Sequence, residues 1–259
     1  VAGLLREHLF EEQTVIMTSA TISTDGGFEY FKRNTGCPDA LEMCVDSPFD
    51  YFNQGLIYVP NDLPDPREPG FYEAAAKRIE EILIRTDGRA FVLFTSYTGM
   101  NQVFDSIAPR LRWTVLKQGD APRSQLIERF KEDGHAVLFA TSTFWEGIDV
   151  QGEALSCVII DKLPFAVPND PVYKAKEDEL KRIGRNTFAE LSVPDAIIRL
   201  KQGVGRLIRH REDRGLVAIL DKRLRKMSYG PRFINSLPRF RRITSLENVE
   251  LFLEGGGSN

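Results

Sequence analysis

The chain has 259 residues, 42% of them hydrophobic and 27% charged, with a formal net charge of −3. That length and balance suit one large globular domain, or one domain plus part of a neighbour. They argue against a membrane protein, since no apolar run approaches the roughly 18 residues of a membrane span. The first residues, Val1 to Glu7, lack the basic-then-apolar order of a signal peptide. A cytoplasmic protein with no membrane partner is the expectation. The chain does not begin with Met, which suggests a fragment of something longer.

In chain order, Val15-Ile16-Met17-Thr18 reads as a short apolar strand. Residues 58–70 (YVPNDLPDPREPG) carry four prolines and no periodicity, so they form a connecting loop. Residues 71–85 place apolar side chains at helical spacing. Residues 90–95 form a continuous apolar run, as in a strand buried on both faces. A helix over 122–131 follows, then buried strands over 136–141 and 157–161. Residues 170–183 and 194–209 read as helices, the second with Pro194 in its first turn. A last strand is expected over 216–221, a short helix over 231–236, and a flexible tail over 254–259.

Apolar strands alternating with amphipathic helices predict an α/β fold, a mostly parallel sheet with helices on both faces. Ligands bind such sheets at the carboxyl ends of the strands. The polar residues that follow each strand are therefore the ones to inspect: Thr95-Ser96-Tyr97, Thr141-Ser142-Thr143, Asp161-Lys162 and Asp221-Lys222. Charge adds a second pointer. Arg199 to Arg242 holds 14 Lys and Arg against three Asp and Glu, while the rest holds 20 against 34. An acidic body with a basic C-terminal third fits an anionic partner, although charges spread over a solvated surface would give the same count.

Three segments carry candidate chemistry. In Gln202-Gly203-Val204-Gly205-Arg206-Leu207-Ile208-Arg209, a continuous helix would put Gln202, Arg206 and Arg209 on one face. Two guanidinium groups aimed from one face can clamp a polyphosphate. Gly203 and Gly205 each cost about 1 kcal/mol against Ala inside a helix, which suggests that something approaches the backbone there. Taken alone, the segment also reads as a solvated basic helix end. Residues 140–150 (ATSTFWEGIDV) place hydroxyls, a glycine and a carboxylate directly after a buried strand. They form either a ligand-facing loop or an ordinary strand-to-helix connection capped by Asp149. Thr18-Ser19-Ala20-Thr21-Ile22 offers hydroxyls that could equally be turn-forming groups. The cysteines, Cys37, Cys44 and Cys157, show no CxxC spacing. No disulfide framework and no closed zinc or iron–sulfur site is expected from them.

Together and in this order, the three segments resemble helicase superfamily 2: TSATI (18–22), TSTFWEGIDVQG (141–152) and QGVGRLIR (202–209). SPFDYFNQGLIYVPNDLPDP (47–66), VLFTSY (92–97), DKLPF (161–165) and LDKRLRKMSYG (220–230) narrow the resemblance to the DinG/XPD-like branch. The resemblance implies a RecA-like P-loop NTPase fold, second motor domain, of an ATP-dependent 5′ to 3′ DNA helicase. It implies ATP and Mg²⁺, single-stranded DNA and a first motor domain as partners, and a role in DNA repair. Arg206, Arg209 and Gln202 would act on the phosphates. Gly147, Asp149 and Gly205 would meet the nucleotide. Thr95, Ser96, Tyr97, Thr141 and Trp145 would line the DNA track, although Trp145 reads as well as a core or interface residue. Thr18, Ser19 and Thr21 would couple hydrolysis to movement. It divides the chain into a remnant of the first motor domain (1–22), the second (23–238) and a C-terminal extension (239–259).

The chain departs from the whole family pattern in three respects. It has no G-x-x-x-x-G-K-[ST] loop, no DEAH box after a buried strand, and none of the family's four cluster cysteines. All three belong to the first motor domain, and a [4Fe–4S] cluster would sit there. The chain alone is therefore expected to be inactive. A stand-alone nucleic-acid or partner-binding module is the alternative. A dinucleotide enzyme lacks its G-x-G-x-x-G turn after any strand.

Overall fold

The computed structural model describes residues 1–141, 144, 154–166, 170–205 and 207–255. Its centre is a sheet of seven strands: β1 (Gly55–Tyr58), β2 (Ala90–Phe94), β3 (Val115–Lys117), β4 (Val137–Thr141), β5 (Cys157–Ile160), β6 (Gly215–Ile219) and β7 (Arg241–Ile243). The spatial order is β3-β4-β2-β5-β6-β1-β7, and every pairing is parallel. The five inner strands are buried along their whole length, which explains their unbroken apolar runs. Successive side chains serve opposite faces. In β2, Phe91 and Leu93 join one core, while Ala90, Val92 and Phe94 join the other.

Helices cover both faces, and three short ones, α1 (Ala2–Leu5), α3 (Tyr51–Gln54) and α9 (Arg223–Lys226), accompany the longer ones. On one side, α4 (Phe71–Arg85) buries Phe71, Ala75, Ile79, Ile82 and Leu83, with α5 (Tyr97–Ile107) beside it. On the other, α6 (Arg123–Asp133), α8 (Val193–Val204) and α10 (Gly230–Ser236) bury Leu126, Phe130, Ile197, Leu200 and Phe233. The helix expected over 170–183 is α7 (Pro171–Arg182), whose N-cap Asp170 accepts from the N–H groups of Val172 and Tyr173. No described helix is long and apolar enough to cross a membrane.

Four expectations change. Residues 15–18 are not a strand, and Ile16 is 86% exposed; a strand needs a neighbouring backbone, and among the described residues this run pairs with none of the seven strands. The helix expected over 194–209 stops at Val204. β1, β3 and β7 were not foreseen as strands, being only three or four residues long. Finally, the segment read as a C-terminal extension supplies β7 and α11 (Val249–Leu253). Phe240, Leu246, Val249 and Phe252 of this segment are buried in the two cores.

The segment after TSATI lies against the domain as a strap. Thr24 and Gly27 close a tight turn in which Asp25 (φ 54°) and Gly26 (φ 79°) take left-handed conformations, as Asp-Gly does in a type I′ turn. The Asp25 N–H donates to Ser236 Oγ at 2.8 Å, and its carboxylate pairs with Arg232 at 3.2 Å. In α2 (Glu29–Thr35), Arg33 pairs with Glu190 at 2.8 Å. Tyr30 of α2 is pushed up to about 12, first by burial and then by the nearby Asp195 carboxylate.

Candidate functional site

The site residues fall at two edges of the sheet: Thr95–Tyr97, Thr141, Asp161 and Asp221 follow the carboxyl ends of strands, while the QGVGRLIR segment lies where β6 and β1 begin. At the end of β2, the Thr95 N–H donates to Asp161 Oδ1 at 3.0 Å, and its hydroxyl lies 3.5 Å from Oδ2. Ser96 caps α5, its Oγ accepting from the Gly99 N–H at 3.2 Å. Tyr97 in the first turn is 53% exposed. Its phenol oxygen accepts from Gln118 Nε2 at 2.7 Å. Gln118 Oε1 in turn accepts from the Thr141 N–H at 2.7 Å and its hydroxyl at 3.0 Å. Gln118 thus ties the ends of β2, β3 and β4 together. The hydroxyls of Thr95, Ser96 and Thr141 have partners inside the protein, while the Tyr97 ring faces solvent.

Two carboxylates stand at the ends of β5 and β6. Asp161 is 1% exposed and accepts from the N–H groups of Thr95 (3.0 Å) and Lys162 (2.7 Å). Burial pushes its carboxyl up to about 7, against the pull of Lys162 and with a further push from Asp221. Asp221 is fully buried, accepts from the Leu163 N–H at 2.9 Å, and forms a forked pair with Arg223 at 2.6 Å. Both carboxylates hold loops: Asp161 the start of DKLPF and the turn after β2, Asp221 the middle of DKLPF. Their oxygens already accept from N–H donors, and no cluster of three metal-ligating side chains occurs among the described residues. This donor set does not fit Mg²⁺, so no chemistry is assigned to a metal on these residues.

The QGVGRLIR segment is shaped differently from the expected single helix face. α8 closes with the Gly205 N–H on the Lys201 carbonyl at 2.8 Å, and the Leu207 N–H reaches Val204 at 3.2 Å. Two glycines in three residues weaken the helix here, and Leu207 and Ile208 turn into the core at 2% and 4% exposure. Leu207 packs where Gly215 begins β6; a Cβ on Gly215 would come within 2.4 Å of Leu207 Cγ. The backbone then folds around Asp213, whose Oδ2 accepts from the N–H groups of Arg209 (2.7 Å) and His210 (2.8 Å). From below, the buried Gln54 Nε2 donates to the carbonyls of His210, Arg211 and Asp213 at 2.7–3.0 Å. Gln202 is half-buried in the last turn of α8, and Gly205 is exposed at its end.

Thr18 and Ser19 are exposed, and the Thr21 N–H donates to Ser19 Oγ at 3.2 Å, a local turn. Arg206, Trp145, Gly147 and Asp149 lie outside the described residues, as does most of 142–153. Gln54, Gln118 and Asp213 were not singled out in the sequence. Only Gln54 carried a signal, as part of the SPFDYFNQG segment.

A seven-stranded parallel sheet with helices on both faces defines the class: a RecA-like domain. An XPD helicase structure superimposes with a TM-score of 0.57 at 20% identity, covering 73% of this chain and 36% of that one. Residues 79–240 match the helicase C-terminal domain family. ATP-dependent DNA helicase YoaA of Haemophilus influenzae is 40% identical over 244 residues, covering 94% of this chain and 38% of the relative. ATP-dependent helicase DinG of Mycobacterium tuberculosis is 35% identical over 257 residues, covering 98% and 39%. The chain therefore belongs to the helicase C-terminal domain family, in its DinG/XPD-like branch. It spans about two fifths of the length of these curated relatives.

Proposed function

We propose that this chain is the second motor domain of an ATP-dependent DNA helicase that moves 5′ to 3′ along single-stranded DNA. The carrying observation is the ordered set of segments, from TSATI through QGVGRLIR, in a chain of this family. In this reading residues 1–22 are the edge of a first motor domain, which supplies the phosphate loop and acidic box that hold ATP and Mg²⁺. The domain proper begins at residue 23. Arg206 and Arg209 reach the γ-phosphate across the cleft, and Gln202 contacts the phosphate or the attacking water. Arginine fingers stabilise charge that develops in phosphoryl transfer and are worth roughly 10³–10⁵ in rate. Gly205 leaves room for the nucleotide, and Gly147 and Asp149 link it to the DNA track.

On the DNA side, the exposed Tyr97 ring is the group best suited to stack on a base, since Gln118 holds its hydroxyl. Thr95, Ser96 and Thr141 shape the backbone around it, and Trp145 is the second stacking candidate. Thr18, Ser19 and Thr21 pass motion between the two domains.

The test is Arg206→Ala in the protein that carries both motor domains. DNA-stimulated ATP hydrolysis should fall by at least about 10³-fold while nucleotide binding is largely kept. Wild-type turnover in that variant would remove the finger assignment.

A further inference from the structure

One side chain joins two motifs that are far apart in sequence. Lys201, the residue before Gln202, extends its ammonium to the backbone carbonyl of Ser23 at 2.8 Å and to Ser23 Oγ at 3.1 Å. The two residues are 178 positions apart. Ser23 directly follows TSATI and opens the Thr24–Gly27 turn. Lys201 also accepts, through its own carbonyl, the Gly205 N–H that closes α8 at 2.8 Å. One residue therefore carries both the last helical hydrogen bond before the arginines and the contact to the TSATI turn.

The surroundings make this contact selective. Lys201 is half-buried, and burial lowers its ammonium below the usual lysine range. A desolvated ammonium bonded to a carbonyl is a stronger tether than an exposed ion pair. The other anchors of the strap go elsewhere: Asp25 to Arg232 and Ser236 on α10, and Arg33 to Glu190 ahead of α8. They hold the strap to the domain but do not touch the end of α8. With the turn held at its far side by α10, Lys201 is a described contact through which displacement of TSATI reaches Gln202 and the residues after it.

We infer that Lys201 is a positioning residue that sets the end of α8, and hence the arginines that follow, according to the position of the TSATI turn. The mechanical part stands on the contacts above; its consequence for catalysis rests on the proposed motor function.

Two measurements separate the parts. The first is hydrogen exchange on the 259-residue chain with Lys201→Met, Lys201→Arg and Ser23→Ala. Amides of the turn (22–27) and of the α8 end (202–205) should exchange on the order of tenfold faster in Lys201→Met, the factor for one lost charge-assisted hydrogen bond. The amides of β2 and β4 should be unchanged. Lys201→Arg should restore protection, and Ser23→Ala, which loses only the side-chain acceptor, should show a smaller effect. Faster exchange in the turn with an unchanged α8 end would overturn the inference.

The second uses the two-domain protein and compares ATP consumed per base pair unwound. Lys201→Met should raise that ratio several-fold, Lys201→Arg should return it, and KM for ATP should stay constant. An unchanged ratio would overturn the coupling role. A wild-type two-domain protein that does not hydrolyse ATP would instead refute the motor reading, and hydrogen exchange would still decide the contact.

Discussion

At the carboxyl end of β5, Asp161 is buried yet its oxygens hold the backbone of Thr95 and Lys162. Its folded carboxyl sits at about 7, against 3.8 for an ordinary aspartate. Between those values the folded protein binds the proton and the unfolded chain does not. Stability therefore falls as pH rises from about 4 to about 7 and levels off above. Asp161→Asn keeps the shape and the acceptor for both N–H groups but cannot ionise. Its melting temperature relative to wild type should rise between pH 5 and pH 8, by several degrees, given about 2–4 °C per kcal/mol for a chain of this size. A difference constant across that range would show that Asp161 is ionised in the folded state. Asp161 stood out in the sequence as a polar residue after a buried strand, but its inward role did not. Which way a side chain points at a strand end depends on the neighbouring strand, and β2 and β5 are neighbours only in space. Gln118 was invisible for a related reason. It follows a three-residue strand too short to read, and its partners come from two other elements, Tyr97 from the start of α5 and Thr141 from the end of β4.

At the scale of elements, four of the five strands buried along their whole length and the helices α4, α6 and α7 were legible, because their burial pattern is written in consecutive residues; the four-residue β1 and the helix α5 were not read. Nor were the edges. β7 is Arg-Arg-Ile, a charged edge strand that reads as loop, and it forms because β1 offers it a backbone ladder. The end of α8 failed in the opposite sense: a good helical pattern continued on paper past Val204, but Leu207 and Ile208 gain more by entering the core. The C-terminal boundary gives a direct test. Ending the chain at Pro238 removes Phe240, Leu246, Val249 and Phe252, all at most 6% exposed, together with the β1–β7 pairing. At about 1.5–3 kcal/mol for each buried apolar side chain, the loss is of the order of the whole stability of a typical domain. The truncated chain should show no cooperative thermal transition by circular dichroism. Ending it at Gly255 should leave the transition in place. A cooperative transition in the Pro238 truncation would mean that residues 239–253 are an appendage after all.

For the molecule as a whole, the basic C-terminal third overstates what is free to meet an anion. Of its cations, Arg199 pairs with Asp195, Arg223 with Asp221 and Arg232 with Asp25, while Lys201 and Arg225 bond to Ser23 and to the Val59 carbonyl. The sign of the charge asymmetry was legible in the sequence, but its use was not, since pairing is decided by the fold. If the proposed DNA track engages only roughly three phosphates, single-stranded DNA binding by this chain alone should be weak. Its affinity should fall with salt at a logarithmic slope near −2, about −0.7 for each phosphate engaged. The chain should also hydrolyse no ATP by itself, because the residues that would hold Mg²⁺ and the phosphate tail are not among its motifs. The measurement is a titration of labelled oligo(dT) at two salt concentrations, with and without the first motor domain, alongside an ATPase assay of each sample. Weak binding by the chain, with affinity and hydrolysis both gained on adding the partner domain, is the outcome of a divided motor. Nanomolar binding with a steep slope by the chain alone would make it a nucleic-acid module in its own right, and turnover by the chain alone would remove the division of labour between the two halves.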